Sequence, residues 1–525
     1  MKTLCKSLFA LTAAALVSTT AARANVTFHV SGSTAFRAAA INAITRILAP
    51  TQAVYIGSSL AGANDCAFQG TLAGVTGPVT VECHFGGSIT GIVGLTQPAS
   101  NHYHFQTFDT TTGGAANTSA ARAATAGGQS NFFSPYGLLP SAGGGYKLAA
   151  SGAVANPDNA ATDVGFSDAF QGTATLVTSA AASSPALVDT QVGVLPFAWM
   201  KSSAKTTDTD YAAWQRFTDI TSNNAATLFG SGGLSFQILD GNSADVAVNA
   251  IAVGRDEDSG TRVAGFAESG FGVGNSPSQY EITTSGGAAA GPDAVVASLV
   301  LQSDVAFPTI GGGYGSGGNI ADAFATTGWD AAGGYGVAYI GAADTDGAIT
   351  EGYQITAGVT GGGTTYTAAG LTGSKVAESI AAGNNVYIEN STPGANNGFT
   401  FLGTVSSVNN ITKLVTLSTA IPAGTHAIIV DVLTGTNYVR SAFLTYNGAL
   451  LSQANILNGK NSFWEYEHYF TPAAGLTGDK LTVSNALSSD LISTDAQVAG
   501  YLIGALVTGN GTLTKSQEGA TINLQ

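Results

Sequence analysis

Apolar runs in this chain end repeatedly in clusters of glycine, serine and threonine. Val26 to Val30 reads as a strand and Ser31-Gly32-Ser33-Thr34 as a turn. Phe36, Ala40, Ile41, Ile44, Ile47 and Leu48 then fall on one face of a helix that Pro50 stops. Val79 to Phe85 reads as another strand, running into the small-residue loop Gly86 to Gly91. Asp163 to Asp168 is a short strand ending in serine and aspartate, and Val192 to Met200 a stronger one. Pro196 predicts that this stronger strand is an edge or bends. Val246 to Val253 is a further strand. After it, Val263, Phe266, Ala267 and Phe271 are spaced like one face of a helix. Ala225 to Phe229, Val295 to Leu301 and Gln497 to Val507 read as helical, and Gly336 to Ile340 as a strand. The alternation predicts α/β lobes with mainly parallel sheets.

Two stretches break the pattern. Residues 97–160 are rich in Gly, Ala, Ser and Thr and read as a loop-rich insertion. Residues 350–435 contain the short β-like runs Val386 to Glu389, Phe399 to Val405, Leu414 to Leu417 and Ala427 to Val432. Gly, Asn and Pro turns separate them, and Ser374 to Ala382 is the one candidate helix. This stretch reads as a small all-β module inserted into the α/β body.

Bulk properties narrow the function. The chain has 525 residues, enough for two or three domains. Its net charge of −15, with only 18 Lys+Arg and no basic run, argues against nucleic acid and anionic membrane as partners. The first 24 residues read as a signal peptide: Lys2 and Lys6, the apolar run Leu8 to Val17, and the small-x-small site Ala22-Arg23-Ala24. A periplasmic or extracellular protein without a membrane anchor is expected. Cleavage removes Cys5 and leaves Cys66 and Cys83, in that compartment most simply a disulfide. No His or Cys grouping has metal-ligand spacing. Asp344 and Asp346 suit a solvated turn better than a Ca²⁺ loop. Phe463, Trp464, Tyr466, Tyr469 and Phe470 suit a core better than a sugar platform. No enzymatic activity and no cofactor are expected.

The densest chemistry is Arg255-Asp256-Glu257-Asp258-Ser259-Gly260-Thr261 at a strand-to-helix entry. Free backbone N–H groups at a helix start favour an anion, and Arg255 adds a charged fork. The same residues also suit a plain helix capped by Ser259. Three other loops share the position just beyond a strand: Thr34, Ser88 and Asp168. Ligands of open α/β sheets bind outside such strand ends.

Together these motifs resemble the phosphate-specific periplasmic binding proteins of ABC transporters. The matching residues, in order, are Gly32-Ser33-Thr34, Gly87-Ser88, Gly165-Phe166-Ser167-Asp168 and Arg255 to Thr261. The resemblance covers about residues 26–345 and 436–525. It implies a two-lobed, type II periplasmic-binding-protein-like fold. Lobe 1 would be 25–195 with 436–525, and lobe 2 would be 196–345, with Val192 to Met200 and Gly336 to Ile340 crossing at the hinge. It implies phosphate or a related tetrahedral oxyanion as ligand, an ABC permease as partner, and a monomer. The implied ligand-binding residues are Thr34, Ser88, Asp168, Arg255, Glu257, Ser259, Gly260 and Thr261. Asp168 would accept the ligand's proton and Glu257 would orient Arg255. The chain departs from the pattern at Asp258, where a glycine is usual, and Asp256, Glu257 and Asp258 are expected to face solvent. The alternative is a surface or matrix interaction protein that reuses the fold, with 350–435 as its contact surface.

Overall fold

The computed structural model describes residues 25–50, 52–56, 63–97, 103–105, 145–148, 158–177, 184–302, 312–350, 353–357, 359, 361–368, 380–389, 400–409, 411–425, 427–495, 503–508 and 511–525. The expected signal peptide, most of 97–160 and the candidate helix at 374–382 lie outside them, the last except for 380–382.

The N-terminal part contains β1 (Val26–Gly32), α1 (Arg37–Leu48), β2 (Gln52–Ile56), β3 (Asp65–Gly70), β4 (Val79–His84), α2 (Ser88–Thr96), β5 (Gly145–Leu148) and β6 (Val164–Ser167). The small, mostly apolar α1 buries Ala39, Ala40, Ile41, Ala43, Ile44 and Leu48, and ends at left-handed Ala49 just before Pro50. The long strand β7 (Val188–Lys201) leads to α3 (Ser222–Ser231), β8 (Gly233–Ser235), β9 (Asn249–Ala252) and α4 (Gly260–Ser269). There follow β10 (Gln279–Thr284), β11 (Val296–Gln302), α5 (Gly317–Ala325), β12 (Tyr335–Gly341) and α6 (Ala342–Thr350). The next strands are β13 (Tyr353–Ala357), β14 (Thr365–Thr367), β15 (Asn385–Glu389), β16 (Thr400–Asn409), β17 (Leu414–Leu417) and β18 (Ala427–Asp431). The last elements used here are β19 (Ala442–Tyr446), β20 (Trp464–Thr471) and α7 (Gly478–Asp490).

One mixed sheet dominates, in the order β8-β9-β12-β7-β20-β6-β1-β4-β3-β2-β5, with β19 also on β7. It is less parallel than expected. β1 is parallel to β4 and β6, and β9 to β12, but β7 is antiparallel to β20, β12 and β19. Strand β7 is central, so of the edge or bend that Pro196 suggested the edge does not hold. Pro196 lies opposite Trp464, whose amide donates to Ser462 rather than across the ladder. The missing proline N–H therefore falls where β7 exchanges β20 for β12 and β19 as neighbours.

Two helix expectations fail. Val295 to Leu301 falls largely in β11, an antiparallel hairpin with β10 that leaves Val300 and Leu301 exposed. A short apolar run does not separate the two periods, and its β-branched content decides here. Of Gln497 to Val507, residues 497–502 lie outside the described set, and the remainder is a 3₁₀ turn running into a short strand.

Strands β13 to β18 pair only among themselves among the described residues, in the order β13-β18-β15-β16-β17-β14. They enclose their own core of Val386, Ile388, Val405, Val415, Ile428 and Val430. Short β-like runs bounded by Gly, Asn and Pro turns predicted four of these six strands. The aromatic run of β20 is buried, as its packing reading required.

Candidate functional site

Strand register brings the separate loops together. Ser167, near the end of β6, is level with Gln191 of β7 through their shared partner His468. Ala252, at the end of β9, is level with Lys201 of β7 through Val337. β6 runs with β7 and β9 runs against it. Their C-terminal ends therefore face one another along Val192 to Met200.

Asp168, just past β6, sits in that meeting place and is 1 % exposed. The Ser88 hydroxyl, at the start of α2, donates to its Oδ1. The Thr261 hydroxyl, at the start of α4, approaches its Oδ2 at 3.4 Å. One carboxylate is thus held by hydroxyls from two helix starts. Gly260 lies against it: a Cβ there would fall 1.6 Å from Asp168 Oδ1 and 2.7 Å from Ser88 Cβ. Ser259 caps α4 by accepting from the Arg262 amide at 3.2 Å. The capped-helix and site readings of this stretch thus hold at once.

Arg255 is buried, and its contacts differ from those expected. Its Nε donates to the Tyr314 carbonyl at 2.8 Å and its Nη2 to Gly315 at 3.0 Å. These backbone carbonyls, flanking the start of α5, fix the guanidinium in the role expected of Glu257. The arrangement spends two of the five N–H groups that a guanidinium offers. Glu257 is buried nearby in sequence.

Asp256, Glu257 and Asp258 do not face solvent; all three are buried. The reason is contact across the meeting place. The Asp258 carbonyl accepts the Ile89 amide at 3.0 Å, and its carboxyl lies over Gly87, where a Cβ would be 2.7 Å away. Gly87 has φ 142°, so both its conformation and its neighbour demand glycine. Burial, then the Asp256 carboxylate beside it, pushes the Asp258 carboxyl well above the usual range. Burial also raises Asp168, opposed by its Ser88 bond, its own backbone, the charge of Arg255 and Thr261. Carboxyls that keep their protons add no negative charge, which offsets the acidity of an anion site.

Thr34 is half-exposed on its turn, and no hydrogen bond ties it to this group among the described residues. Ser33 is the inward residue, with its Oγ accepting from the Phe36 amide at 3.3 Å. Glu467 of β20 is buried near enough to Asp168 for that charge to act on it, and the sequence reading did not include it. An acid within an aromatic run that is otherwise core was the available signal. A recess lined by Ala35, Leu195, Pro196, Phe197, Gly341 and Asp344 among others shares no residue with this group. Asp344 is in helix α6, not a turn. Its carboxylate stands at the start of α5, where a Cβ on Gly317 would meet its Oδ2 at 2.0 Å. Among the described residues no group of His, Cys, Asp or Glu is arranged to hold a metal ion.

The expected disulfide is not formed: Cys66 and Cys83 are buried free thiols. They are nonetheless direct partners on β3 and β4. Burial, then the neighbouring Cys66, holds the Cys83 thiol well above its usual range, so neither exchange nor alkylation proceeds readily in the folded state. Both thiols are expected to react with a thiol reagent only on unfolding, and reductant is expected to add none. Thiol counting in denaturant, with and without reductant, checks this.

No family model and no curated protein matches the chain. Among solved structures, similarity is found to a Clostridium perfringens protein assigned as a phosphate ABC transporter substrate-binding protein, with bound phosphate. That match has 10% identity, a TM-score of 0.35, and covers 90% of this chain and 96% of the other. PstS from Borrelia burgdorferi matches at 10% identity and a TM-score of 0.31, over 91% of this chain and 98% of the other. Likeness that distant leaves the chain's function to its own geometry. No helix among the described residues is long and apolar enough to cross a membrane.

Proposed function

We propose that this chain is an extracytoplasmic solute-binding protein that holds a protonated tetrahedral oxyanion, phosphate being the type case, between two lobes. Lobe 1 comprises 25–195 and 436–525, lobe 2 comprises 196–345, and 350–435 is a β-rich insert. The observation that carries this reading is Asp168: a buried carboxylate flanked by the first residues of α2 and α4, with Arg255 fixed close enough for its charge to act on it. Helix starts supply N–H donors and favourable dipole, the arginine supplies charge, and the carboxylate accepts a proton that sulfate lacks. Ser88, Ser259 and Thr261 add hydroxyls, Gly260 admits close approach, and Glu257 belongs to the same buried stretch. An ABC permease is the matching partner, with the chain acting as a monomer.

The Ser88 and Thr261 hydroxyls both turn to Asp168. An entering anion replaces that latch, and parting of the facing strand ends along β7 admits it. Calorimetric titration of the mature chain with phosphate is expected to show saturable heat. Arg255→Ala weakens binding by at least about tenfold, the loss of one charge-assisted hydrogen bond to a buried anion. Absence of heat with phosphate, arsenate and sulfate alike contradicts the reading.

A second reading rests on the self-contained six-stranded sheet, whose Phe401 is 58% exposed. As a surface interaction module it would bind its partner unaffected by Arg255→Ala.

A further inference from the structure

We propose that Glu467 is a specificity-determining residue of the oxyanion site: one residue beyond the paired ladder from Asp168, it forms with it a carboxyl pair that shares one proton and presents a single negative charge to the ligand. This rests on the function proposed above and names the group that sets its charge selectivity.

The placement follows from register. β20 runs antiparallel to β6, with Tyr469 opposite Phe166 and His468 opposite Ser167. The paired ladder ends at Ser167, and one residue beyond it Asp168 lies near enough to Glu467 for its charge to act on that carboxyl. Glu467 is fully buried, and neither of its carboxyl oxygens has a hydrogen-bond partner among the described residues. The Ser33 hydroxyl approaches without completing a bond.

The groups around Glu467 leave Asp168 as the one that decides its charge. Helix α2, packed on β20, carries no ionisable side chain. On β7, Asp189 is taken by His468, at 2.9 Å. From the turn after β1 comes only the neutral Ser33. The charge of Arg255 acts on Asp168. Burial, then the Asp168 carboxylate, raises the Glu467 carboxyl well above its usual range. Two adjacent buried carboxyls cannot both ionise cheaply, and they titrate as a unit.

The pair makes the site a charge filter. With one proton on the pair, Asp168 accepts the hydroxyl proton of a hydrogenphosphate ion. Once the second proton leaves, two negative charges face the anion and expel it. Glutamine at 467 has the same shape but no proton to lose.

The test is phosphate titration of wild type and Glu467→Gln across about pH 6 to 9, a range spanning raised carboxyl values. The ratio of the two affinities cancels the ligand's own ionisation. The expected result is a ratio near one at the acid end that moves in favour of Glu467→Gln by up to about tenfold per pH unit as the pair loses its last proton. A ratio constant across the range overturns the inference while phosphate binding itself stands. Failure of wild type to bind any oxyanion overturns the proposed function first, and this inference with it. Glu467→Leu, an apolar side chain of similar volume, carries the same prediction should the glutamine variant not fold.

Discussion

Gly260→Ala weakens oxyanion binding by at least about tenfold and lowers the stability of the unliganded chain, the consequence of overpacking by one methyl group in a closed site. The added Cβ would lie 1.6 Å from Asp168 Oδ1 and 2.5 Å from its Cγ. The carboxylate cannot simply turn aside, because Ser88 and Thr261 hold its two oxygens. Elsewhere in a helix the same change would stabilise by about 1 kcal/mol, since alanine is the better helix former. The sign of the effect is therefore diagnostic. Calorimetry and thermal melting of the variant read both parts; a variant melting higher with unchanged affinity would show that α4 does not rest on Asp168.

Asp258→Asn stabilises the unliganded chain near neutral pH and above, and changes little near about pH 3, where the acid is protonated in either state. Its folded carboxyl value lies well above the ordinary one. Below the unfolded value of about 3.9 the proton is bound in both states and favours neither. As pH rises the unfolded chain releases the proton first. Stability then falls by about 1.4 kcal/mol per unit until the folded carboxyl also ionises. Asparagine has no such window. Asp168 and Glu467 are raised in the same direction, so wild-type stability should decline from mildly acidic pH upward. Urea denaturation of both chains at a series of pH values measures the difference. Parallel curves would mean that Asp258 is not held protonated.

Much of this site is legible in the sequence, and the parts that are not share a cause. The strand-turn-helix entries at Ser88 and Ser259 were legible because their signals are local: small residues after an apolar run, then a helical period. Asp168 was legible as the acid ending a short strand. The burial of Asp256, Glu257 and Asp258 was not, because it depends on Gly87 and Ile89 arriving from the opposite strand end. Three consecutive acids ordinarily signal a solvated turn. The preference for Ser33 over Thr34 is a rotation of one residue within a turn, which periodicity does not fix. Glu467 was hidden inside an aromatic core strand, and its role emerges only when β20 pairs with β6. Pro196 misled for a similar reason: its missing donor matters only against the neighbours β7 actually has. In the fold at large, Val295 to Leu301 carried too few residues for its period to decide between helix and strand.

The central claim is that a proton-accepting carboxylate at Asp168 makes the site choose a protonated oxyanion. The most direct measurement is the ratio of phosphate to sulfate affinity in wild type and Asp168→Asn near neutral pH. The account predicts strong preference for phosphate in wild type, and a ratio that collapses toward one in the asparagine variant, which donates to sulfate and repels neither ion. Equal affinities in wild type, or a preference that survives Asp168→Asn, would contradict it.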